Sequence, residues 1–149
     1  MARIDKTPPG LSLSEFEDKS LLIVDDDDPF RDRLSRAMTK KGFEVKDAKT
    51  VDIATKIIQT KAPKFAVVDL RLEGGNGLDV VKELSRSKNE SRIVMLTGYG
   101  NLPTAVAAIK AGAIDYLAKP VDADDVEAAL LADPDSKAKP PENPMSADR

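Results

Sequence analysis

Five side chains with the chemistry of a phosphate or metal site stand directly after apolar runs of the sequence. They are three carboxylates, one hydroxyl and one ammonium: Asp25, Asp26, Asp69, Thr97 and Lys119. Carboxylates that lie together repel one another unless a cation binds, and oxygen ligands of this kind suit Mg²⁺, which favours a phosphate oxygen as a further partner. Lysine and threonine are suited to hold phosphoryl oxygens. The set predicts a phosphoryl acceptor at Asp69, with Mg²⁺ and Lys119 neutralising the developing charge.

The elements that must position these side chains are short apolar runs separated by helix-length segments. The runs are Leu21–Val24, Phe65–Val68, Ile93–Leu96 and Ile114–Ala118, the last interrupted by Asp115, with a short alternating run at Phe43–Lys46. A continuous apolar run bounded by turn residues predicts a strand that is buried on both faces. The alternation predicts an α/β fold, a flavodoxin-like (βα)5 doubly wound parallel sheet of strand order 2-1-3-4-5. In that order, strands one, three, four and five bring their carboxyl ends together.

Composition divides the chain into three parts. Residues 1–19 are polar, and we expect a flexible N-terminal tail, although Ser12 and Glu15 have the spacing of a capping box and leave one turn of helix open. Residues 20–131 form the domain. Its helices are predicted to begin after Asp28, with Pro29 in the first turn, after Thr50 and after Asp122. Residues 132–149 are rich in proline and predict an extended linker.

The residue counts exclude several classes of function. The 149 residues contain no cysteine and no histidine, which removes thiol redox chemistry, His-based catalysis and His-ligated zinc. The net charge of −3 argues against binding nucleic acid through a basic surface. No apolar run approaches the length of a membrane span, and the N-terminus lacks a signal-peptide core. We therefore expect a cytoplasmic protein without membrane contact.

The order and spacing of the site residues closely resemble the receiver domains of two-component response regulators. The resemblance covers residues 20–131 and is carried by four segments: Val24-Asp25-Asp26, Val68-Asp69-Leu70, Leu96-Thr97-Gly98-Tyr99-Gly100 and Tyr116-Leu117-Ala118-Lys119-Pro120. It implies that a phosphohistidine on a sensor histidine kinase phosphorylates Asp69. Such a domain is a phosphoacceptor switch with intrinsic Mg²⁺-dependent phosphotransfer and slow autodephosphorylation, and it is not a turnover enzyme.

The resemblance also implies a role for each remaining residue. Asp26, Asp69 and the backbone carbonyl of Arg71 would ligate Mg²⁺, and Asp25 would act through water. Thr97 and Tyr116 would be the switch pair, in which the hydroxyl moves to the phosphoryl group and the ring turns inward behind it. Lys119 would hold the phosphate, and its bond to Pro120 is cis in this family. The surface made by the fourth helix, fifth strand and fifth helix would then change its partner, and a homodimer formed on phosphorylation is left open.

A narrower resemblance is to the RegA/PrrA/ActR group of redox-responsive regulators, carried by residues 68–80, 97–106 and 141–149. In that group the last segment leads into a helix-turn-helix DNA-binding domain, which we expect to be absent from this chain. Glu73 stands where receivers usually have proline, and the group shares this feature. Since the chain has no cysteine, redox sensing must occur elsewhere in the pathway.

Three other functions are compatible with the fold class, but the residues at the predicted site argue against each of them. An aspartyl-phosphate phosphatase of the haloacid-dehalogenase type needs a second acid two residues after the nucleophile, where this chain has Arg71. A flavin or nucleotide module needs a glycine- or serine-rich loop after the first strand, where this chain has four acids, Asp25 to Asp28. A non-phosphorylatable interaction domain would have a broken acidic pocket, whereas this pocket has all its residues.

Overall fold

Five parallel strands form one sheet in the part of the chain that the computed structural model describes, residues 10–72, 74–87, 89–98 and 102–133. The strands are β1 (Ser20–Val24), β2 (Glu44–Ala48), β3 (Phe65–Asp69), β4 (Arg92–Thr97) and β5 (Asp115–Ala118). Their order across the sheet is β2-β1-β3-β4-β5, and every neighbouring pair is parallel. The predicted fold and strand order are confirmed.

Helices cover both faces of this sheet. They are α1 (Asp28–Lys40), α2 (Val51–Thr60), α3 (Gly77–Ser85), α4 (Leu102–Ala111) and α5 (Ala123–Leu130). Residues of β1, β3 and β4 alternate between two buried clusters, because successive side chains of a strand point to opposite faces. One cluster takes its helical side chains from α2, α3 and α4, and the other takes them from α1 and α5.

The helix caps agree with the sequence except at α1. Thr50 and Asp122 cap α2 and α5 as predicted, each accepting a hydrogen bond from a backbone N–H of the first turn. At α1 the cap is Asp27 and not Asp28, since the Asp27 carboxylate accepts from the N–H of Phe30 at 3.1 Å. The shift of one residue follows from Asp25, whose Oδ1 accepts from the N–H of Asp27 at 2.9 Å and closes the preceding loop. Asp28 is therefore the first residue of the helix.

Residues 10–19, the described part of the predicted N-terminal tail, pack against the domain. This segment forms one 3-10 turn at Leu13–Glu15, and both hydrogen bonds of the Ser12–Glu15 capping box are present. The Phe16 ring then packs edge-on against the buried ring of Phe65, with 5.0 Å between centroids. Although the segment is polar in composition, two apolar side chains, Leu13 and Phe16, pack against the core. Residues 1–9 lie outside the described residues.

The same segment contacts the residues that follow α5. The N–H of Leu11 donates to the carbonyl of Leu131 at 2.7 Å, and Gly10 forms an antiparallel bridge with Ala132. Arg92, at the start of β4, lies over the Phe16 ring and donates to the carbonyls of Leu130 and Ala132. The end of the domain is thus held by both the N-terminal segment and the sheet. The predicted linker beyond residue 133 lies outside the described residues. Glu73, which stands where receivers usually have proline, also lies outside them.

Replacing Phe16 by Ala is expected to lower the free energy of unfolding by about 2 kcal/mol, roughly half the cost of removing a fully buried phenylalanine. The reason is the loss of the edge-on contact with Phe65 and of the surface under Arg92. Urea denaturation measures the change, and Glu17→Ala is the matched control because Glu17 is exposed on the same segment. Equal midpoints for Phe16→Ala and the wild type would mean that the Phe16 ring adds nothing to stability.

No helix within the described ranges combines the length and the apolar character that crossing a bilayer requires.

Candidate functional site

Three carboxylates meet at the carboxyl ends of β1 and β3. Asp25 and Asp26 follow β1, Asp69 ends β3, and β1 and β3 are neighbours in the sheet. One oxygen of each carboxylate lies within 4.8 Å of an oxygen of the others. Asp25 is fully buried and Asp69 is 8% exposed. The structure therefore brings together the three acids that the sequence predicted, in an enclosed position where their charges interact strongly.

Lys119 reaches this acidic cluster from the loop after β5. Its Nζ lies 2.8 Å from Oδ2 of Asp25 and 3.3 Å from Oδ2 of Asp69. The backbone N–H of Lys119 donates to the carbonyl of Thr97 at 2.8 Å, which continues the ladder between β4 and β5 by one bond. The peptide bond from Lys119 to Pro120 is cis, as the resemblance implied. One ammonium is thus shared between two carboxylates.

The electrostatics of the cluster favour a cation. Burial raises the pKa of the Asp69 carboxyl, and the charge of Asp25 raises it further; Lys119 and the backbone N–H of Arg71 oppose this shift without cancelling it. Burial lowers the pKa of the Lys119 ammonium, but its hydrogen bonds and charge interactions with Asp25 and Asp69 outweigh burial, and that pKa lies above its ordinary value. One lysine therefore does not neutralise the carboxylates around it.

The donor set fits a small hard divalent ion. The three grouped acids carry three negative charges, Lys119 contributes one positive charge, and the oxygens in reach are of the kind that Mg²⁺ and Ca²⁺ prefer. An additional divalent cation would balance the remaining negative charge. Asp25, Asp26 and Asp69 are the side chains that would hold it, directly or through water.

The loop that carries the acidic pair is fixed by Arg31. Its guanidinium donates to the carbonyl of Asp25 at 2.8 Å and pairs with the Asp28 carboxylate at 2.8 Å. The Arg31 side chain is only 16% exposed, and its third contact is to Asp47 at the end of β2, at 3.5 Å. Arg31 is a residue that the sequence analysis missed. The sequence feature that could have identified it is its position six residues after Asp25. This places Arg31 one helical turn into α1, where its side chain can reach back to the loop.

The other predicted residues surround the cluster. Thr97 is the last residue of β4, is 2% exposed, and lies next to the strand that carries Asp69. Tyr116 is half-buried on β5, where it pairs with Met95 in the strand register. Arg71 is exposed two residues after Asp69, and its backbone N–H donates to the Asp69 carboxylate. The predicted ligand role of the Arg71 carbonyl and the switch roles of Thr97 and Tyr116 stay predictions.

Gly77 is a second residue that the sequence analysis did not single out. It is buried at the first position of α3, and its N–H donates to the carbonyl of Leu70 at 2.7 Å. A Cβ added there would stand 2.1 Å from the carbonyl oxygen of Asp69. Glycine is therefore required by the close approach of two backbones, which places the start of α3 directly against the residue that carries the acceptor carboxylate.

Replacing Asp69 by Asn is expected to stabilise the metal-free domain at neutral pH, raising Tm by about 3 °C. The pKa of Asp69 is raised in the folded state, so its ionised form is disfavoured there, and any stability that it gives at low pH is lost as the pH rises through the folded pKa. The gain in Tm should become smaller at pH values below the pKa of the Asp69 carboxyl in the unfolded chain. Thermal unfolding at pH 7 and at pH 3 without divalent ions measures it, and a lower Tm for the variant at pH 7 would contradict the electrostatic interpretation.

The family of response regulator receiver domains matches residues 21–131, which include every residue of the acidic cluster and Lys119. The chain belongs to this family. The predicted resemblance is confirmed, and the acidic cluster lies at the carboxyl ends of the parallel strands of this fold.

This receiver is similar to two named regulators over nearly all of its length. It is 58% identical over 132 residues to the photosynthetic apparatus regulatory protein RegA of Rhodobacter capsulatus, an alignment that covers 89% of this chain and 72% of RegA. It is 55% identical over 132 residues to the acid tolerance regulatory protein ActR of Rhizobium meliloti, with coverage of 89% and 68%. The receiver is therefore of the RegA/ActR type.

A solved structure with the same fold is a response regulator from Burkholderia pseudomallei with a phosphorylated aspartic acid, a calcium ion and citrate. It is 38% identical to this receiver with a TM-score of 0.73, and the match covers 76% of this chain and 67% of that one. Membership of the two-component response regulator family implies a sensor kinase as partner.

Proposed function

We propose that this receiver accepts a phosphoryl group onto Asp69 from a phosphohistidine of its cognate sensor histidine kinase, with Mg²⁺ as cofactor. The observation that carries the proposal is the grouping of Asp25, Asp26 and Asp69 within 4.8 Å, with the Lys119 ammonium shared between two of them. The phosphorylated aspartic acid and calcium ion of the Burkholderia pseudomallei protein support the same chemistry here.

The transfer requires a nucleophile, charge neutralisation and a fixed geometry. A carboxylate oxygen of Asp69 attacks phosphorus, the new P–O bond forms as the P–N bond breaks, and the imidazole nitrogen keeps the bonding electrons and takes up a proton. When bound, Mg²⁺ would supply positive charge to neutralise the phosphoryl oxygens. Asp25, Asp26, Asp69 and the carbonyl of Arg71 would hold it.

Lys119 and Thr97 act on the phosphoryl group once it is attached. In the unphosphorylated receiver the ammonium lies 3.3 Å from Oδ2 of Asp69, so it need move little to donate to a phosphoryl oxygen. Thr97 ends the strand beside Asp69, and its hydroxyl would donate to a second phosphoryl oxygen. Movement of Thr97 would free space that the half-buried ring of Tyr116 fills, which couples the phosphorylation site to β5.

The output surface would be the face formed by α4, β5 and α5. Val106 and Ile109, one turn apart on α4, are 42% and 49% exposed, which gives this face an apolar patch able to pair with another surface. We propose that phosphorylation changes the partner of this face, with a homodimer as one outcome, and that the signal controls transcription through a helix-turn-helix DNA-binding domain following the receiver. The regulatory roles named for RegA and ActR support this direction, and the proposed setting is the cytoplasm.

Intact mass after incubation with acetyl phosphate tests the transfer chemistry. The expected result is a single phosphoryl addition that requires Mg²⁺ and is absent when the ion is chelated. The addition is expected to vanish on unfolding and hydroxylamine treatment, which cleaves acyl phosphates. No addition with acetyl phosphate and none with a phosphohistidine donor would contradict the proposal and favour a receiver that signals by constitutive interaction.

A further inference from the structure

The ammonium group of Lys119 has to be held at a considerable distance from β5, the strand that Lys119 follows. Asp69 and Asp25 end strands that lie two and three positions away from β5 in the sheet order. A lysine side chain has four rotatable bonds and loses conformational entropy when it is fixed. The two carboxylates attract the ammonium but compete for it, and they are the groups that a metal ion and a phosphoryl group would engage. A third contact, outside the acidic cluster, would therefore decide where Lys119 rests.

That third contact is the face of Phe30. The Lys119 Nζ lies 4.5 Å from the centroid of the Phe30 ring, within the range of a cation–π interaction. The ring is half-buried, belongs to the first turn of α1, and packs against the cluster of apolar residues beneath that helix. The backbone at this position is held by the N–H of Phe30, which donates to the helix cap Asp27. The packed ring therefore offers the Lys119 ammonium a surface to rest on.

We propose that Phe30 is a positioning residue for phosphoryl transfer, which holds the Lys119 ammonium over Asp69 through the face of its ring. The effect of Phe30 on phosphoryl transfer rests on the proposed function. The contact between the ring and the ammonium does not depend on it. An aromatic ring offers an advantage over a third carboxylate here, since it attracts the ammonium without adding negative charge to an acidic cluster that already has too much.

The first test needs neither metal nor phosphoryl donor. Because the Lys119 Nζ lies over the ring, the protons on the adjoining Cε are expected to be shifted upfield in the NMR spectrum by its ring current. The expected result is an upfield shift in the wild type and in Phe30→Tyr, and its loss in Phe30→Leu, which keeps an apolar side chain without the ring. A wild-type spectrum without that shift would overturn the proposal.

The second test measures the rate of Asp69 phosphorylation by acetyl phosphate with Mg²⁺. Phe30→Leu is expected to slow it about three- to tenfold, and Phe30→Tyr to leave it nearly unchanged. The matched control is Phe43→Leu, which removes a buried ring that packs on Phe65 within the apolar core. In the Lys119→Ala background, Phe30→Leu should have no further effect, because the ring acts through the ammonium.

The outcomes separate this inference from the proposed function. An equal slowing by Phe30→Leu with and without Lys119 would mean that the ring only supports packing, and would overturn the positioning role. An unphosphorylated wild type would overturn the proposed function and the catalytic consequence for Phe30, while the ring-current shift would still decide whether the ring holds Lys119.

Discussion

Asp69→Asn is expected to abolish phosphorylation of the receiver completely, with acetyl phosphate and with a phosphohistidine donor. The amide that replaces the carboxylate is neutral and has no oxygen nucleophile able to form a stable bond to phosphorus. The variant should still fold, because Asn occupies the same volume and the charge that it removes is one that burial and Asp25 disfavour. Intact mass with Mg²⁺ present measures the result directly.

The control for this experiment is an aspartate that lies outside the acidic cluster. Asp79 is exposed in the first turn of α3, only ten positions from Asp69 in the sequence. Asp79→Asn should be phosphorylated at the wild-type stoichiometry. Persistent labelling of Asp69→Asn at that stoichiometry would show that another carboxylate is the acceptor, and Asp25 and Asp26 would then be examined by the same substitution.

Gly77→Ala is expected to lower the free energy of unfolding by about 3 kcal/mol, at the upper end of the cost of inserting atoms into a packed region. The added Cβ would lie 2.1 Å from the carbonyl oxygen of Asp69 and 3.0 Å from the Cα of Leu70. Both obstacles are backbone, so no rotamer change relieves the clash, and either α3 or the end of β3 must move. Urea denaturation measures the loss.

The matched control for the second prediction is Gly98→Ala. Gly98 is exposed just after β4, and a Cβ there would meet no atom within 4 Å. This substitution is expected to change stability by no more than about 0.5 kcal/mol. A similar loss for both variants would mean that the cost does not come from the contact with Asp69. Slower phosphorylation in Gly77→Ala than in Gly98→Ala would further link the start of α3 to the position of the acceptor.

Much of the fold was predictable because its signals are local. Each buried strand is a continuous apolar run, and α1, α2 and α5 have capping residues at or next to their predicted starts, so the order of the elements follows from short stretches of sequence. A parallel sheet built from such units has few topologies, and the observed order β2-β1-β3-β4-β5 is the predicted one. The residues at the strand ends were therefore identified as neighbours although Asp25 and Lys119 are far apart in the chain.

The features that were missed are contacts between distant segments whose members look ordinary in the sequence. Phe30 reads as the first apolar position of a helix, and only the path of Lys119 across the strand ends brings the ammonium to its ring. Residues 10–19 are polar in composition, and their contacts are with distant segments: Phe16 packs on Phe65, and Leu11 donates to Leu131. Asp27 and Asp28 are equivalent as caps until the hydrogen bond to Asp25 closes the loop.

The sequence by itself determined which side chains stand at the ends of the strands, and therefore the chemistry available to the acidic cluster. The tertiary structure decided how that chemistry is arranged: that Lys119 donates to both Asp25 and Asp69, and that Gly77 leaves no space beside the acceptor. The physical reason is that strand and helix propensities act over a few residues, whereas distances of 3 Å between groups many positions apart depend on the packing of the whole sheet and its helices.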